Sequence, residues 1–307
     1  MFFLDATDPR AMSDYLHRLG WLAASEDILS AERAGEGNMN YTLRVRTNCR
    51  TIILKQARPW VEKYPHIAAP SERAIVEGRF YQLAATVPVV AEAMPQLLGL
   101  DEDARLLCLE DLGAASDFTS LYSGGSLGPG EMEMLLGWLA ALHQAFRAYQ
   151  HKSEFANRDM RALNHQHIFV IPFVPETDSK FQREVTRLGE IYLADGDCLL
   201  HGDFFPGSWL QTCSGVKIID PEFCFFGPPE FDLGVLLAHL IFAGSDGAEL
   251  SNMLKLYGAG VHERLITKFA GVEIMRRLLG VAQLPLTLDA QAKKRLLERS
   301  REMILAS

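Results

Sequence analysis

The sequence has no apolar run long enough to cross a membrane, and it has little positive charge. Its longest strongly apolar stretch, residues 233–244, is interrupted by His239, whereas a membrane-spanning helix needs about 20 apolar residues. Lys and Arg number 30 against 39 Asp and Glu, for a formal net charge of −9. This balance argues against binding to nucleic acid or to an anionic membrane through the overall charge. We therefore expect neither nucleic-acid nor membrane partners.

Cysteine is scarce as well. The chain has five cysteines, an odd number, and none of them forms a C-x-x-C pair. This pattern disfavours a disulfide framework and a zinc knuckle, and it favours a reducing, cytoplasmic location. With 307 residues, of which 48% are hydrophobic and 22% charged, the composition is that of a globular protein. The length suits one large domain or two unequal lobes.

The first third of the chain has the pattern of a small sheet. Alternating apolar residues predict strands at 41–46 and 51–56. Helical apolar spacing predicts a helix at 71–85. Two short apolar runs, 96–100 and 105–109, flank an acidic turn and predict a hairpin. These elements together indicate an antiparallel sheet with one inserted helix.

After residue 113 the pattern becomes mainly helical. Helices are predicted at 131–149, 181–195, 230–243, 247–268, 271–281 and 289–305. The segment 198–226 is an exception, with short β-like runs between polar loops. We predict an α+β, bilobal fold with a nucleotide-binding sheet lobe at 1–112 and a helical, acceptor-binding lobe at 113–307. A ligand cleft is expected between the two lobes.

The strongest chemical signal is the sequence HGDFFPGS at 201–208, followed by VKIIDPE at 216–222. Phosphoryl transfer needs a carboxylate that accepts the proton of a hydroxyl, and further oxygen ligands for Mg²⁺ on the phosphates. Asp203 lies in a polar loop after an apolar run, and Asp220 and Glu222 follow an apolar strand. Either aspartate alone is more often a turn residue. Their order and spacing together favour Asp203 as a catalytic base and Asp220 and Glu222 as metal ligands.

These segments resemble the catalytic loop and metal-binding segment of the aminoglycoside phosphotransferase and choline kinase superfamily, relatives of the protein kinases. Within it they are similar to the S-methyl-5-thioribose kinases, which have Ser where most kinases have Asn, as at Ser208, and Asp-x-Glu as at 220–222. The continuation FCFFGPPEFDLG at 223–234 is similar too. The resemblance implies a kinase-like fold and an enzyme that uses ATP and Mg²⁺ to phosphorylate a hydroxyl of a small metabolite, foremost S-methyl-5-thioribose. It also implies a homodimer.

The same resemblance assigns residues of the first lobe to the nucleotide. It implies that the sequence GEGNMNY at 35–41 covers the phosphates, since Gly and Asn tolerate the positive φ that turns N–H groups toward an anion. It implies that Lys55 holds phosphates and pairs with Glu77, although Arg73 is a competing partner. A lone strand lysine more often faces solvent. The residues expected to bind the cofactor are Gly35, Gly37, Asn38, Asn40, Lys55, Glu77, Glu110, Leu112 and Ser208.

Arg276 and Arg277 form the one adjacent arginine pair of the chain. Neighbouring residues on a helix point about 100° apart, so the plain interpretation is a solvated helix face. The resemblance instead places the pair near the acceptor. It implies that both residues are catalytic and stabilise charge on the transferred phosphoryl group. Asp232 and His201 are expected to brace the catalytic loop through hydrogen bonds.

Three alternative functions are open. The chain is shorter than S-methyl-5-thioribose kinases are, so a kinase for another small acceptor of the aminoglycoside, choline or homoserine type is the nearest alternative. A catalytically dead nucleotide-binding module would lack Asp203, Asp220 or Lys55, and all three are present. A metal-dependent hydrolase built on His201 and Asp203 would need further histidine ligands and would leave Lys55 without a role.

Overall fold

The structure is a computed structural model that describes residues 2–35, 37, 39–245, 249–284 and 286–306. Contacts within the chain divide it into two units, Met1–Ala114 and Ala115–Ser307. Within the described residues, no helix combines the length and the apolar character that crossing a membrane requires.

The first unit is built on antiparallel strands. The strands are β1 Ile28–Arg33, β2 Tyr41–Thr47, β3 Thr51–Gln56, β4 Trp60–Val61, β5 Tyr64–Ala68, β6 Leu97–Asp101 and β7 Leu106–Glu110. The helices are α1 Pro9–Arg18, α2 Arg73–Ala84 and α3 Pro88–Ala91. Five strands form a sheet in the order β1-β2-β3-β7-β6, with every neighbouring pair antiparallel. The short strands β4 and β5 pair separately as a ribbon.

Alternate residues of the central strands form the core of this unit. Leu43 and Val45 of β2 are fully buried, as are Ile52 and Leu54 of β3, because successive side chains of a strand point to opposite faces. Helix α1 adds Leu16 to the same apolar cluster. The core therefore fixes the register of β3 and, with it, the position of Lys55.

The second unit is mainly helical. Its helices are α4 Glu131–Ala145, α5 Arg158–His165, α6 Ser179–Leu193, α7 Glu230–Phe242, α8 Glu249–Tyr257, α9 Glu263–Leu279 and α10 Ala290–Leu305. Its strands are β8 Ser116–Asp117, β9 Cys198–Leu200, β10 Trp209–Thr212, β11 Gly215–Ile218 and β12 Phe225–Gly227. They form two small antiparallel sheets, β11-β10-β8 and β12-β9.

Helix α9 is the centre of the helical packing. It packs against α7 on one side and α10 on the other. Gly234 of α7 permits the first contact, because a Cβ atom there would lie 2.6 Å from Phe269 Cβ. On the other side, Ser300 Oγ of α10 donates to Gly271 O at 2.7 Å. As a result all residues from 269 to 278 are buried.

The α+β class, with an antiparallel sheet followed by helices, is confirmed. The prediction of one helix at 247–268 is wrong, because α8 ends at Tyr257 and α9 begins at Glu263. Gly258 and Gly260, with φ of 101° and 99°, break the helix between them, since left-handed backbone ends a right-handed helix. Residues 247 and 248 lie outside the described residues. The helix predicted at 271–281 is the second half of α9. Helices α1, α3 and α5, strand β1 and the β4–β5 ribbon were not predicted.

Two glycines inside helices test this packing as a matched pair. Gly234→Ala places a methyl group against Phe269 and the backbone of α9, so we expect a loss of about 1–3 kcal/mol in the free energy of unfolding. Gly137 in α4 is exposed, with no atom within 4 Å of its Cβ position. Gly137→Ala should therefore raise stability by up to about 1 kcal/mol. Urea denaturation of both variants measures the difference, and shifts of the same sign would contradict the packing described.

Candidate active site

In the first unit, β3 and α2 bring Lys55 and Glu77 together. Lys55 Nζ donates to Glu77 Oε1 at 2.7 Å, with side chains only 5% and 1% exposed. Burial of an ammonium group is costly unless an anion pairs with it. The predicted pairing is confirmed, and the solvent-facing alternative for Lys55 is wrong.

The competing arginine has other partners. Arg73 is fully buried, and its guanidinium donates to the carbonyl oxygens of Pro70, Met39 and Arg58 at 2.8, 2.9 and 3.0 Å. Its Nε donates to Asn40 Oδ1 at 3.0 Å. These contacts tie the end of the predicted phosphate loop to the first turn of α2. The side chain of Asn40 is thereby an anchor of the loop, and its predicted contact with the cofactor stays a prediction.

The glycines of the same loop have room around them. Gly35 has a φ of 75° and no atom within 4 Å of its Cβ position, so the backbone there is left-handed, as glycine favours. The Cβ position of Gly37 meets only Asn40 O, at 3.9 Å. Asn38, also predicted to bind the cofactor, lies outside the described residues. The contact of this loop with phosphate remains a prediction.

Glu110 and Leu112, which are expected to bind the cofactor, lie at the end of β7 and just after it. Glu110 Oε2 accepts from Gln96 N at 3.1 Å, and Glu110 N donates to Gln96 O at 2.9 Å. Beyond Leu112, Arg44 Nη2 donates to Gly113 O at 3.0 Å. The backbone is thus held on both sides of Leu112.

In the second unit, a buried aspartate organises the loop that follows β9. Asp232 Oδ2 accepts from His201 N at 2.8 Å, and Asp232 Oδ1 accepts from Gly202 N at 3.0 Å. His143 Nε2 lies 3.1 Å from Asp232 Oδ2. A carboxylate that is fully buried needs such partners to offset its desolvation. The predicted bracing role of Asp232 is therefore confirmed, and it fixes the backbone just before Asp203.

The same loop is locked to the segment that carries the predicted metal ligands. His201 Nε2 lies 2.9 Å from Ile219 O. Burial lowers the pKa of His201, so the neutral ring donates its Nε2–H to this carbonyl oxygen. Gly202 has a φ of 86°, and a Cβ atom there would lie 2.2 Å from Phe223 O. Glycine is required for the approach, which holds the two segments together.

The predicted metal ligands occupy unusual backbone. Asp220 has a φ of 62° and a ψ of 51° and precedes the 3₁₀ turn Pro221–Phe223. Left-handed backbone costs a non-glycine residue about 1–2 kcal/mol, and such strain concentrates at functional sites. Glu222, 5% exposed, lies in that turn.

Among the described residues no group of three or more His, Cys, Asp or Glu is arranged around a metal site. Two carboxylates nevertheless fit Mg²⁺, which commonly takes one or two carboxylates and completes its shell with phosphates and water.

Helix α9 brings the arginine pair to the predicted base. Asp203 Oδ1 accepts from Arg276 Nη2 at 3.4 Å and from Arg277 Nη2 at 3.2 Å. The two arginines are 7% and 6% exposed, so the solvated-face interpretation is wrong. Ser208 Oγ donates to Asp203 O at 3.1 Å, which makes Ser208 a support of the loop. The structure thus brings together two segments of the chain that the sequence analysis treated separately, the loop with Asp203 and Ser208 and the arginine pair.

A further carboxylate, which sequence reasoning missed, lies behind the pair. Glu273 is 1% exposed, and its Oε1 accepts from Arg277 Nε at 2.7 Å. Burial opposes its ionisation, but the charges of Arg276 and Arg277 outweigh burial and hold the pKa of Glu273 well below its usual value. His239 Nε2 lies 3.2 Å from the same oxygen. The spacing E-x-x-R-R at 273–277 is the sequence signal that points to Glu273.

Residues 30–266 match the phosphotransferase enzyme family APH. The chain therefore belongs to this phosphotransferase family, which confirms the predicted enzyme class and superfamily.

Two relatives are methylthioribose kinases. The enzyme of Exiguobacterium sibiricum is 31% identical over 250 residues, which is 70% of this chain and 61% of that kinase. The enzyme of Bacillus mycoides is 25% identical over 375 aligned positions, covering 99% of this chain and 94% of the relative. The second alignment has more positions than this chain has residues, so this chain has gaps relative to that kinase.

Solved structures agree on the fold. Choline kinase LicA from Streptococcus pneumoniae superposes with a TM-score of 0.58 at 14% identity, covering 97% of this chain and 99% of LicA. LicA in complex with AMP gives a TM-score of 0.61 at 16% identity, covering 97% and 100%. At these identities the likeness shows the fold alone, and it confirms the predicted kinase-like class.

The buried histidine of this site predicts how stability depends on pH. Burial lowers the pKa of His239 from 6.5 to about 4. Near pH 5 the unfolded chain therefore binds a proton at His239 that the folded protein does not, and stability falls as the pH drops below 6.5. The loss at pH 5 relative to pH 8 is about 2 kcal/mol from this group.

His239→Gln removes that group. Its free energy of unfolding should fall about 2 kcal/mol less between pH 8 and pH 5 than in the unmodified protein, as measured by urea denaturation at both values. His66 is exposed, and His66→Gln is the control that should leave the loss unchanged. An unchanged pH dependence in His239→Gln would show that His239 does not stay neutral in the folded protein.

Proposed function

We propose that the protein transfers the γ-phosphate of ATP to a hydroxyl group of a small metabolite. The observation that carries the proposal is the position of Asp203, whose carboxylate is fixed by a braced loop and bound by two buried guanidiniums. Phosphoryl transfer requires a positioned proton acceptor next to cations that stabilise the transferred group. Asp203 and the arginine pair supply both.

In this proposal the proton of the acceptor hydroxyl moves to Asp203. Protonation removes the carboxylate charge that attracts Arg276 and Arg277. At this stage of the reaction, the oxygens of the transferred phosphoryl group carry negative charge. The guanidiniums then bind phosphoryl oxygens more strongly than they bind Asp203. Because this gain arises during the reaction, it lowers the barrier and not merely the energy of substrate binding.

The cofactor assignments follow from the family. Lys55, held by Glu77, binds the α- and β-phosphates of ATP in this proposal. Asp220 and Glu222 would hold Mg²⁺, which would supply positive charge that stabilises the phosphates during transfer. Glu110 and Leu112 receive the adenine through their backbone. Ser208 supports the loop of Asp203 through its hydroxyl, and its direct contact with the nucleotide stays a prediction.

The acceptor that we propose is S-methyl-5-thioribose or a similar uncharged sugar. Its support is the similarity to methylthioribose kinases at 31% and 25% identity. A polycationic aminoglycoside would favour an acidic pocket, whereas the predicted acceptor side contributes the arginine pair and the mixed, basic segment 293–301. Choline- and homoserine-type acceptors are the alternatives that the assay must separate. A homodimer and a cytoplasmic location also stay predictions.

A coupled assay of ADP release tests the proposal. S-methyl-5-thioribose, ribose, choline, homoserine and an aminoglycoside are offered with ATP, and Mg²⁺-dependent turnover is expected with the thioribose. Asp203→Asn keeps the size of the side chain but removes the proton acceptor. We expect its kcat to fall about 10²–10⁴-fold with KM for ATP nearly unchanged.

The possible results separate the parts of the proposal. Turnover with another acceptor alone would replace the thioribose and leave the kinase assignment intact. Near-normal kcat in Asp203→Asn would contradict its role as the base. Absence of ADP release with every acceptor would contradict the kinase proposal as a whole.

A further inference from the structure

Helix α9 carries a third buried charge that the proposed mechanism does not use. Glu273 precedes Arg276 by three residues and Arg277 by four, the spacings at which helix side chains face one another. Its Oε1 accepts from Arg277 Nε at 2.7 Å, and its Oε2 lies 3.4 Å from Arg276 Nε as an ion pair without a hydrogen bond. One carboxylate therefore binds the Nε side of both guanidiniums.

The other ends of the same guanidiniums reach Asp203. Nη2 of Arg276 and Nη2 of Arg277 lie 3.4 and 3.2 Å from Asp203 Oδ1. A guanidinium is planar and presents its donors in a rigid fork, so a contact at Nε sets the direction of Nη2. The position of Glu273 thus determines where the donors of the arginine pair point.

Glu273 is itself held by a relay of two hydrogen bonds that runs from Tyr122 through His239. Tyr122 OH lies 2.6 Å from His239 Nδ1, and His239 Nε2 lies 3.2 Å from Glu273 Oε1. Burial raises the pKa of Tyr122, so its hydroxyl stays protonated and donates to Nδ1. The hydrogen-bond partners then assign the proton of the neutral imidazole to Nε2, from which it is donated to Glu273.

An aromatic ring closes the cluster. The Phe205 ring centroid lies 5.3 Å from that of His239, and Arg277 Cζ stands 4.6 Å above the Phe205 ring. The ring excludes water from one face of the guanidinium, and its π-system favours a cation there. Arg277 is thus confined by a carboxylate at each end and a ring on its face.

We propose that Glu273, fixed by His239 and Tyr122, is a positioning residue that directs Arg276 and Arg277 toward the transferred phosphoryl group. The inference rests on the proposed function, because that function gives the arginine pair its task. The negative charge of Glu273 balances part of the pull of Asp203 on the guanidiniums. Without it, both cations depend on Asp203 alone and are drawn to the base.

The variant Glu273→Gln tests this with the full chain, ATP and S-methyl-5-thioribose. Glutamine keeps the length of the side chain and an oxygen for Arg277 Nε, but it has no charge. We expect kcat to fall about 10–10²-fold, the scale of a small misplacement at a reacting centre. KM for ATP should stay within about twofold, because the lost interaction acts in the transition state.

A matched control is available in the same unit. Glu230 is 5% exposed, and its Oε1 accepts from His262 N at 2.9 Å. Glu230→Gln therefore also neutralises a buried carboxylate that keeps its hydrogen-bond acceptor, but at a place away from the arginine pair. Its kcat should remain within about twofold of that of the unmodified protein. Circular dichroism and thermal unfolding establish that both variants are folded at the assay temperature.

Tyr122→Phe separates positioning from general stability. It removes only the hydroxyl that anchors His239, and a several-fold loss of kcat is expected. Because Tyr122 acts through Glu273, adding Tyr122→Phe to Glu273→Gln should cause no further loss. Additive losses in the double variant, or a kcat of Glu273→Gln equal to that of Glu230→Gln, would overturn the inference. Absence of turnover in the unmodified protein with every acceptor of the panel would instead contradict the proposed function, and with it the task assigned to Glu273.

Discussion

The pairing of two buried guanidiniums with the Asp203 carboxylate is the constraint that fixes helix α9 and the loop after β9 relative to each other in the second unit. An uncompensated buried charge costs several kcal/mol even after relaxation, and α9 buries two arginines within its most enclosed stretch. Glu273 on the same helix compensates part of this charge, and Asp203 on the loop after β9 compensates the rest. Formation of this cluster therefore requires α9 and the loop to be in place together.

The loop in turn depends on contacts that only particular residues can make. Asp232 accepts hydrogen bonds from two backbone N–H groups, and only a glycine at position 202 fits against Phe223 O. His201 bonds to Ile219 O, just before the strained Asp220. The predicted base and the predicted metal ligands are thereby parts of one hydrogen-bonded piece of chain. That rigidity suits a reaction in which positioning and charge stabilisation supply most of the catalysis.

The sequence predicted those features that short motifs or local periodicity encode. Strands β2, β3, β6 and β7 follow from local periodicity, and the Lys55–Glu77 pair and the loop brace at Asp232 follow from the recognised motifs. The break between α8 and α9 was missed although Gly258 and Gly260 signal it, because apolar spacing resumes after them. Local patterns are enough where the partners are neighbours or belong to a recognised motif.

The burial of the arginine pair could not be predicted in this way. Residues 269–278 are buried on every side, so this stretch has no polar stripe to reveal which face a charge occupies. The relay from Tyr122 through His239 to Glu273 joins elements that are far apart in sequence. Only the tertiary structure brings Tyr122 and His239 to Glu273, whereas the E-x-x-R-R spacing is a local signal for Glu273 that the sequence reasoning did not use.

The central claim is that a phosphoryl group moves from ATP to a hydroxyl of a small acceptor. Phosphorus-31 NMR of the protein with ATP, Mg²⁺ and S-methyl-5-thioribose tests it most directly, because the spectrum identifies the product itself. The account predicts a new phosphate monoester resonance that grows in step with ADP. Release of inorganic phosphate without an ester, or an ATP spectrum that stays unchanged with S-methyl-5-thioribose and with every other acceptor of the panel, would contradict it.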